Sequence, residues 1–117
     1  MVVNFTPIRL YINMTKTKTT PKTLDQAFEG VSTELLEMFL QKHADYGKGN
    51  ILSGKELGIA FRINEKAERL KNLLMSGNTP ENESVEETFV DIAVYAVIGV
   101  LYRREQFQKL DVEEKKK

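Results

Sequence analysis

The stretch SVEETFVDIAVYAVIGVLYR (Ser84–Arg103) decides the fold. From Phe89 to Tyr102 every residue except Asp91 is apolar or small, so the segment has no polar side on a helical wheel. A helix of that kind belongs in the middle of a domain. Ser84 and Glu87 have the S-x-x-E spacing of a capping box and predict its start. With charges at Glu87 and Arg103 it is too short for a membrane span, which needs about 20 apolar residues.

The neighbouring segments supply its cover. Ser53 and Glu56 form a second capping-box pattern, and Ala60, Ile63, Ala67, Leu70 and Leu74 follow at three- and four-residue steps. This predicts a helix ending before Gly77 and Pro80. Upstream, Thr23 and Gln26 make another such start, with Leu24, Ala27, Phe28, Val31, Leu35, Met38 and Phe39 as the apolar stripe. Gly30 is a candidate break, and Tyr46-Gly47 a stop. Residues 1–22 read as an arm and linker: Ile8, Leu10 and Ile12 alternate with polar residues as in a short strand, then KTKTTPKT follows. Residues 23–110 form one helical domain, and 111–117 are a charged tail. The expected class is all-α, a small bundle with one central buried helix and an extended N-terminal arm.

Composition narrows the chemistry. The 117 residues carry seventeen basic and seventeen acidic side chains, which argues against bulk nucleic-acid binding. There is no cysteine and one histidine, His43, so thiol nucleophiles, zinc fingers and iron–sulfur sites are excluded. A metal would be held by oxygen, pointing to Mg²⁺ or a similar hard cation. No secretory pattern precedes the domain, so a cytoplasmic location is expected.

Asp91 is the most informative residue, because an ionised carboxylate within an apolar helix costs several kcal/mol unless it is paired or bound to metal. Glu87 lies one turn earlier on the same face, and Glu65 and Glu68 are an i,i+3 pair on the preceding helix. Four carboxylates from two neighbouring helices would suit Mg²⁺, which commonly recruits phosphates as its remaining ligands. The competing reading pairs Asp91 with Arg62 or Arg69 and leaves the glutamates as solvated charges. Arg62, Lys66, Arg69 and Leu73 share a face opposite the apolar stripe, with Glu65 and Asn72 beside it. Such a row is either a solvated face or a set of donors for phosphate oxygens. In QKHADYGKGN (Gln41–Asn50), Lys42, Lys48 and Asn50 can donate to an anion, although the P-loop spacing is absent.

The order Lys42, Asp45-Tyr46-Gly47, Gly49-Asn50-Ile51, then Arg62, Lys66, Arg69-Leu70 and Asn72-Leu73, then Asn82-Glu83-Ser84, Glu87 and Asp91-Ile92-Ala93 with Tyr95-Ala96 resembles one family. It is similar to the nucleotide-modification-associated domain of the first type, found in phages and bacteria, which lies near the MazG-like all-α nucleoside triphosphate pyrophosphohydrolases. The likeness covers residues 33 to 102. MazG-like enzymes carry EExxE on one helix and ExxD on the next, and use Mg²⁺ to split the α,β bond of a nucleotide. Here the first motif is reduced to Glu65 and Glu68, and the second is stretched to Glu87-x3-Asp91. The resemblance implies Mg²⁺-dependent hydrolysis of a (deoxy)nucleoside triphosphate, with Glu65, Glu68, Glu87 and Asp91 holding the metal and orienting the water. Arg62, Lys66, Arg69 and Lys48 would take phosphates, Asp45, Asn50 and Asn72 would contact sugar or base, and Lys42 and Tyr46 would also belong to the substrate-binding set. The competing functions are a non-catalytic protein that binds or sequesters a nucleotide, as in phage counter-defence, and a helical interaction module. The all-round apolar last helix also predicts a homodimer or higher oligomer.

Overall fold

The computed structural model of the protein describes residues 20–76 and 82–113, and for 82–84 the backbone alone. The all-α class expected from the sequence holds: the regular structure of these residues is entirely helical. The helices are α1 (Leu24–Tyr46), α2 (Gly49–Met75), α3 (Asn82–Arg103) and the short α4 (Gln106–Lys109). The strand expected around Ile8–Ile12 lies outside the described residues, as does the lysine-rich end of the tail. Two compact units divide the chain, one ending at Asp45 and the other beginning at Tyr46.

In the first unit, α1 starts where its capping box was read. The Gln26 N–H donates to Thr23 Oγ1 at 3.3 Å, while Gln26 Oε1 accepts from the Lys22 N–H at 2.9 Å. Gly30 does not break the helix, contrary to the sequence expectation. Ser32 and Thr33, just after it, donate back to the carbonyls of Phe28 and Glu29, just before it, so their hydroxyls are satisfied inside the helix. Phe39 and His43, one turn apart, stack with ring centroids 5.4 Å apart. The helix stops at Gly47, whose φ of +67° is the left-handed conformation that glycine adopts most readily.

The second unit is an antiparallel helical hairpin closed by α4. Three contacts set its register: Arg103 Nε lies 2.7 Å from Glu56 Oε2, a Cβ on Gly99 would stand 3.7 Å from Ile59 Cγ2, and Lys66 Nζ lies 3.4 Å from Asp91 Oδ2. As the residue number rises along α2 it falls along α3, so the helices run in opposite directions. Ile59, Thr88, Val94, Ile98 and Phe107 are buried. Helix α3 packs on both α2 and α4, as a central helix should, yet Phe89, Val97 and Val100 are about half exposed. None of the described helices is long and apolar enough to cross a membrane.

Two boundaries and one face differ from the sequence reading. Helix α3 begins at Asn82, so Ser84 falls inside its first turn instead of capping it. The expected start at Ser53 marks a break instead: α2 is already helical from Gly49, is interrupted at Lys55, and resumes at Glu56. The expected inner stripe is also rotated. Ala60, Ala67 and Leu74 are exposed, while Ile59, Ile63, Lys66, Leu70 and Leu73 are covered. A row chosen for apolar residues alone leaves Asp91 facing hydrocarbon; the rotated row gives it an ammonium group.

Lys55 has φ 60° and ψ −164°, a region occupied almost exclusively by glycine and costing a side-chain-bearing residue about 1–3 kcal/mol. Lys55→Gly removes that strain and adds about 0.5–1 kcal/mol of unfolded-chain entropy. The net expectation is a gain of roughly 1 kcal/mol, or about 4 °C in Tm on thermal denaturation. A fall in Tm would mean the side chain contributes more than its backbone costs. Gly99 has helical geometry, and an added methyl would make an ordinary contact with Ile59. Gly99→Ala is therefore expected to stabilise by about 0.5–1 kcal/mol through helix propensity; a loss in chemical denaturation would show that the hairpin needs closer approach there.

Candidate functional site

The antiparallel register of α2 and α3 brings the basic row and the acidic pair to the same stretch of the hairpin. Lys66 sits among Ile63, Leu70 and Leu73 on the inner face of α2, and its ammonium reaches Asp91. The pair is partly buried, with side chains 31% and 18% exposed. Neither Arg62 nor Arg69 takes the role of Asp91's ion-pair partner that the sequence offered them. The reason is angular: Lys66 lies within the row that faces α3, whereas the two arginines flank it and are exposed.

The register also carries Glu87, one turn before Asp91, to the level of Arg69 and Leu70. Glu87 is half-buried and its Oε2 is enclosed, so this end of the hairpin concentrates acidic oxygen at the inner face of α3. Glu65 and Glu68 do not join it. Both are exposed, and Glu68 lies 3.7 Å from Lys71 on its own helix. Among the described residues no three acidic or histidine side chains come together as a metal-binding group.

Arg62, Glu65, Arg69 and Asn72 follow one another at 3,4,3 spacing along the exposed flank of α2. Neither arginine makes an ion pair among the described residues. Two guanidinium groups in one row, seven residues and about 10 Å apart along the axis, remain available to an anion. The basic row expected from the sequence thus separates in two: Arg62 and Arg69 face solvent, and Lys66 turns inward.

The remaining candidates lie in the last turn of α1, at Lys48 and in the first turn of α2. Tyr46 and Asn50 are exposed, at 46% for the tyrosine. Lys42 and Asp45 belong to the first unit, where Gln41 Nε2 donates to Asp45 Oδ2 at 3.4 Å. Lys48 is engaged elsewhere than on the arginine row. Its Nζ donates to the Leu110 carbonyl at 2.6 Å, lies 3.2 Å from Asp111 Oδ1, and sits 5.9 Å from the centre of the Phe107 ring. Phe107, Leu110 and Asp111 were not singled out from the sequence, where Asp111 reads as the start of a solvated tail. Only the buried Phe107, four residues beyond the apolar helix, hinted that the chain turns back there.

With the geometry established, comparison with known proteins adds one finding. The sequence profile of the family described as nucleotide modification associated domain 1 matches residues 42–102, more than half of the chain. No curated protein and no solved structure matches it.

The partly buried pair between α2 and α3 gives a direct energetic test. Asp91→Asn is expected to cost about 1–3 kcal/mol, between the values for exposed and buried ion pairs, because it strands the Lys66 charge. Lys66→Met combined with Asp91→Asn should recover part of that loss. In a double-mutant cycle by urea denaturation, a coupling energy indistinguishable from zero would show that the two charges act independently.

Proposed function

Starting from the fact that the chain belongs to the nucleotide modification associated domain 1 family, we propose that it binds a phosphorylated nucleotide along α2. The observation that carries this reading is the exposed row of Arg62 and Arg69 within the matched residues, both without an ion pair among the described residues. In a chain of zero formal net charge, surface arginines commonly find carboxylates; two left open in one row suit phosphate oxygens, which a guanidinium fork binds two at a time. Asn72 continues the row and can bond to sugar or base. Lys66 stands behind it, engaged in its ion pair with Asp91.

Mg²⁺-dependent hydrolysis of a nucleoside triphosphate to monophosphate and pyrophosphate is the second reading. It is favoured by Glu87 and Asp91 standing one turn apart on α3. The described carboxylates do not fit the metal as they stand, because Glu65 and Glu68 point to solvent and Asp91 faces an ammonium group. Binding without turnover is therefore the better supported of the two.

Both readings are tested on the same samples. Calorimetric titration with common ribo- and deoxyribonucleoside triphosphates, with Mg²⁺ and with EDTA, should give saturable binding to the wild-type chain. Arg62→Ala and Arg69→Ala should each weaken binding by about 1–3 kcal/mol while leaving the melting curve in place, since both side chains are exposed. Equal affinity in all three proteins would reduce the row to a solvated face. Chromatography of the recovered nucleotides decides turnover: unaltered triphosphate supports binding alone, and Mg²⁺-dependent monophosphate and pyrophosphate would establish the enzyme.

A further inference from the structure

The α2–α3 hairpin has two edges of different chemistry. Helix α2 turns Ile59, Lys66 and Leu73 inward, and α3 answers with Asp91 and Gly99, in a row that helical spacing extends to Thr88 and Tyr95. Each step along a helix advances about 100°. In an antiparallel pair of right-handed helices, the residues one position after the facing row therefore lie on the same edge of both. On α2 these are Ala60, Ala67 and Leu74, and on α3 they are Phe89, Ala96 and Val100. The ion pair between Glu56, one turn before Ala60, and Arg103, next after Tyr102, bridges the two helices on this edge and fixes the assignment. Arg62 and Arg69 stand one position before Ile63 and Leu70, which puts them on the opposite edge.

The first edge is bare hydrocarbon. Leu74 is 58% exposed, Phe89 54% and Val100 49%, and Ala60, Ala67 and Ala96 are exposed between them. Val97, also about half exposed, widens the strip on α3. Together these side chains leave roughly 500 Å² of apolar surface, near the upper end of what a monomer shows in one patch. Homodimer interfaces are about 65% apolar, so this is the apolar share of roughly 800 Å² per partner, the size of a standard stable interface. The order of the side chains is also self-complementary. Phe89 and Val100, and between them Ala93 and Ala96, are placed symmetrically about the point between Val94 and Tyr95. Two α3 helices running antiparallel about that point set Phe89 of each copy against Val100 of the other, and Ala93 against Ala96 where the axes approach most closely.

We propose that this edge is the interface between two copies of the chain, with α3 packed on α3 about a two-fold axis and Ala60, Ala67 and Leu74 of α2 closing on its sides. An isologous contact needs one patch that fits itself, and the strip supplies it. The contact strands no charge. Lys66 and Asp91 are already paired inside the hairpin, and the Glu56–Arg103 bridge lies at the rim, where charge is tolerated. Joining two hairpins in this way makes a four-helix arrangement that leaves Arg62 and Arg69 of both copies facing outward. The interface is therefore independent of the nucleotide-binding reading.

The test measures self-association of the full chain. Sedimentation equilibrium at micromolar concentration should give twice the mass of the chain. Ala96→Arg and Val100→Lys put charge in the middle of the strip at positions that are exposed in the single chain, so helical content should be retained while the dimer dissociation constant rises roughly tenfold or more. The chain has no cysteine, so an introduced thiol reports proximity directly. An equimolar mixture of Ala93→Cys and Ala96→Cys proteins should oxidise to a disulfide-linked dimer faster than either protein alone. These two conservative substitutions carry the test even where a charged variant fails to fold. A monomeric wild type overturns the proposal, as does mixed oxidation no faster than that of the separate proteins. A dimer of unchanged affinity in both charged variants also overturns it, and moves the contact to another apolar face, such as the exposed Leu24 and Phe28 of α1.

Discussion

The requirement that Asp91 face a cation organises the hairpin. A carboxylate within the apolar run Phe89–Tyr102 of α3 cannot be left against hydrocarbon, and Lys66 is the group that reaches it across the interface. With that pair in place, α2 is turned about its axis relative to the face that apolar periodicity alone would select. Ile59, Ile63, Leu70 and Leu73 then share the inner face with the lysine, while Ala60, Ala67 and Leu74 are left outside. The same rotation leaves Arg62 and Arg69 at the edge of the interface, close to the pair but open to solvent. A paired carboxylate and an exposed arginine row are thus two results of one orientation.

The far end of the hairpin is tied by weaker means. Arg103 meets Glu56 at 2.7 Å, but both side chains are largely exposed, and such bridges contribute at most about 1 kcal/mol. Lys55, the residue before Glu56, holds a backbone conformation normally reserved for glycine. Close packing of Ile59 against Gly99 lies one turn further on, and the break allows the short helical stretch from Gly49 to take a different direction from the rest of α2. Local strain therefore sits next to the packing that over-determines it. Lys48, at the start of that stretch, is drawn to the C-terminal turn.

The two possible chemistries of the domain differ in what Asp91 must do. As the partner of Lys66 it is a neutralised group that shapes the surface, and phosphate recognition falls to guanidinium groups. As a metal ligand it would have to exchange an ammonium for a divalent cation, with further oxygens drawn from Glu87 or from a helix whose acidic residues now face outward. The first arrangement needs no rearrangement of the hairpin, and for that reason binding is the reading with the smaller energetic demand.

Much of this molecule was legible from local pattern. The helical class, the Thr23–Gln26 start, the stop at Gly47 and the need of Asp91 for a partner all follow from interactions within a few residues, where hydrogen-bonding and burial rules act on neighbours in the chain. The exposed flank of Arg62, Arg69 and Asn72 was likewise visible in the spacing of α2. What local pattern could not decide was which of three cations would answer Asp91, because a difference of some tens of degrees about a helix axis separates Lys66 from the arginines, and only the facing helix selects among them. Nor could it place Glu65 and Glu68 away from Glu87, or bring Asp111 to Lys48 across more than sixty residues. Those outcomes depend on the register of α2 against α3 and on the reversal at Glu105, which are set by packing between distant segments and leave no periodic trace in the sequence.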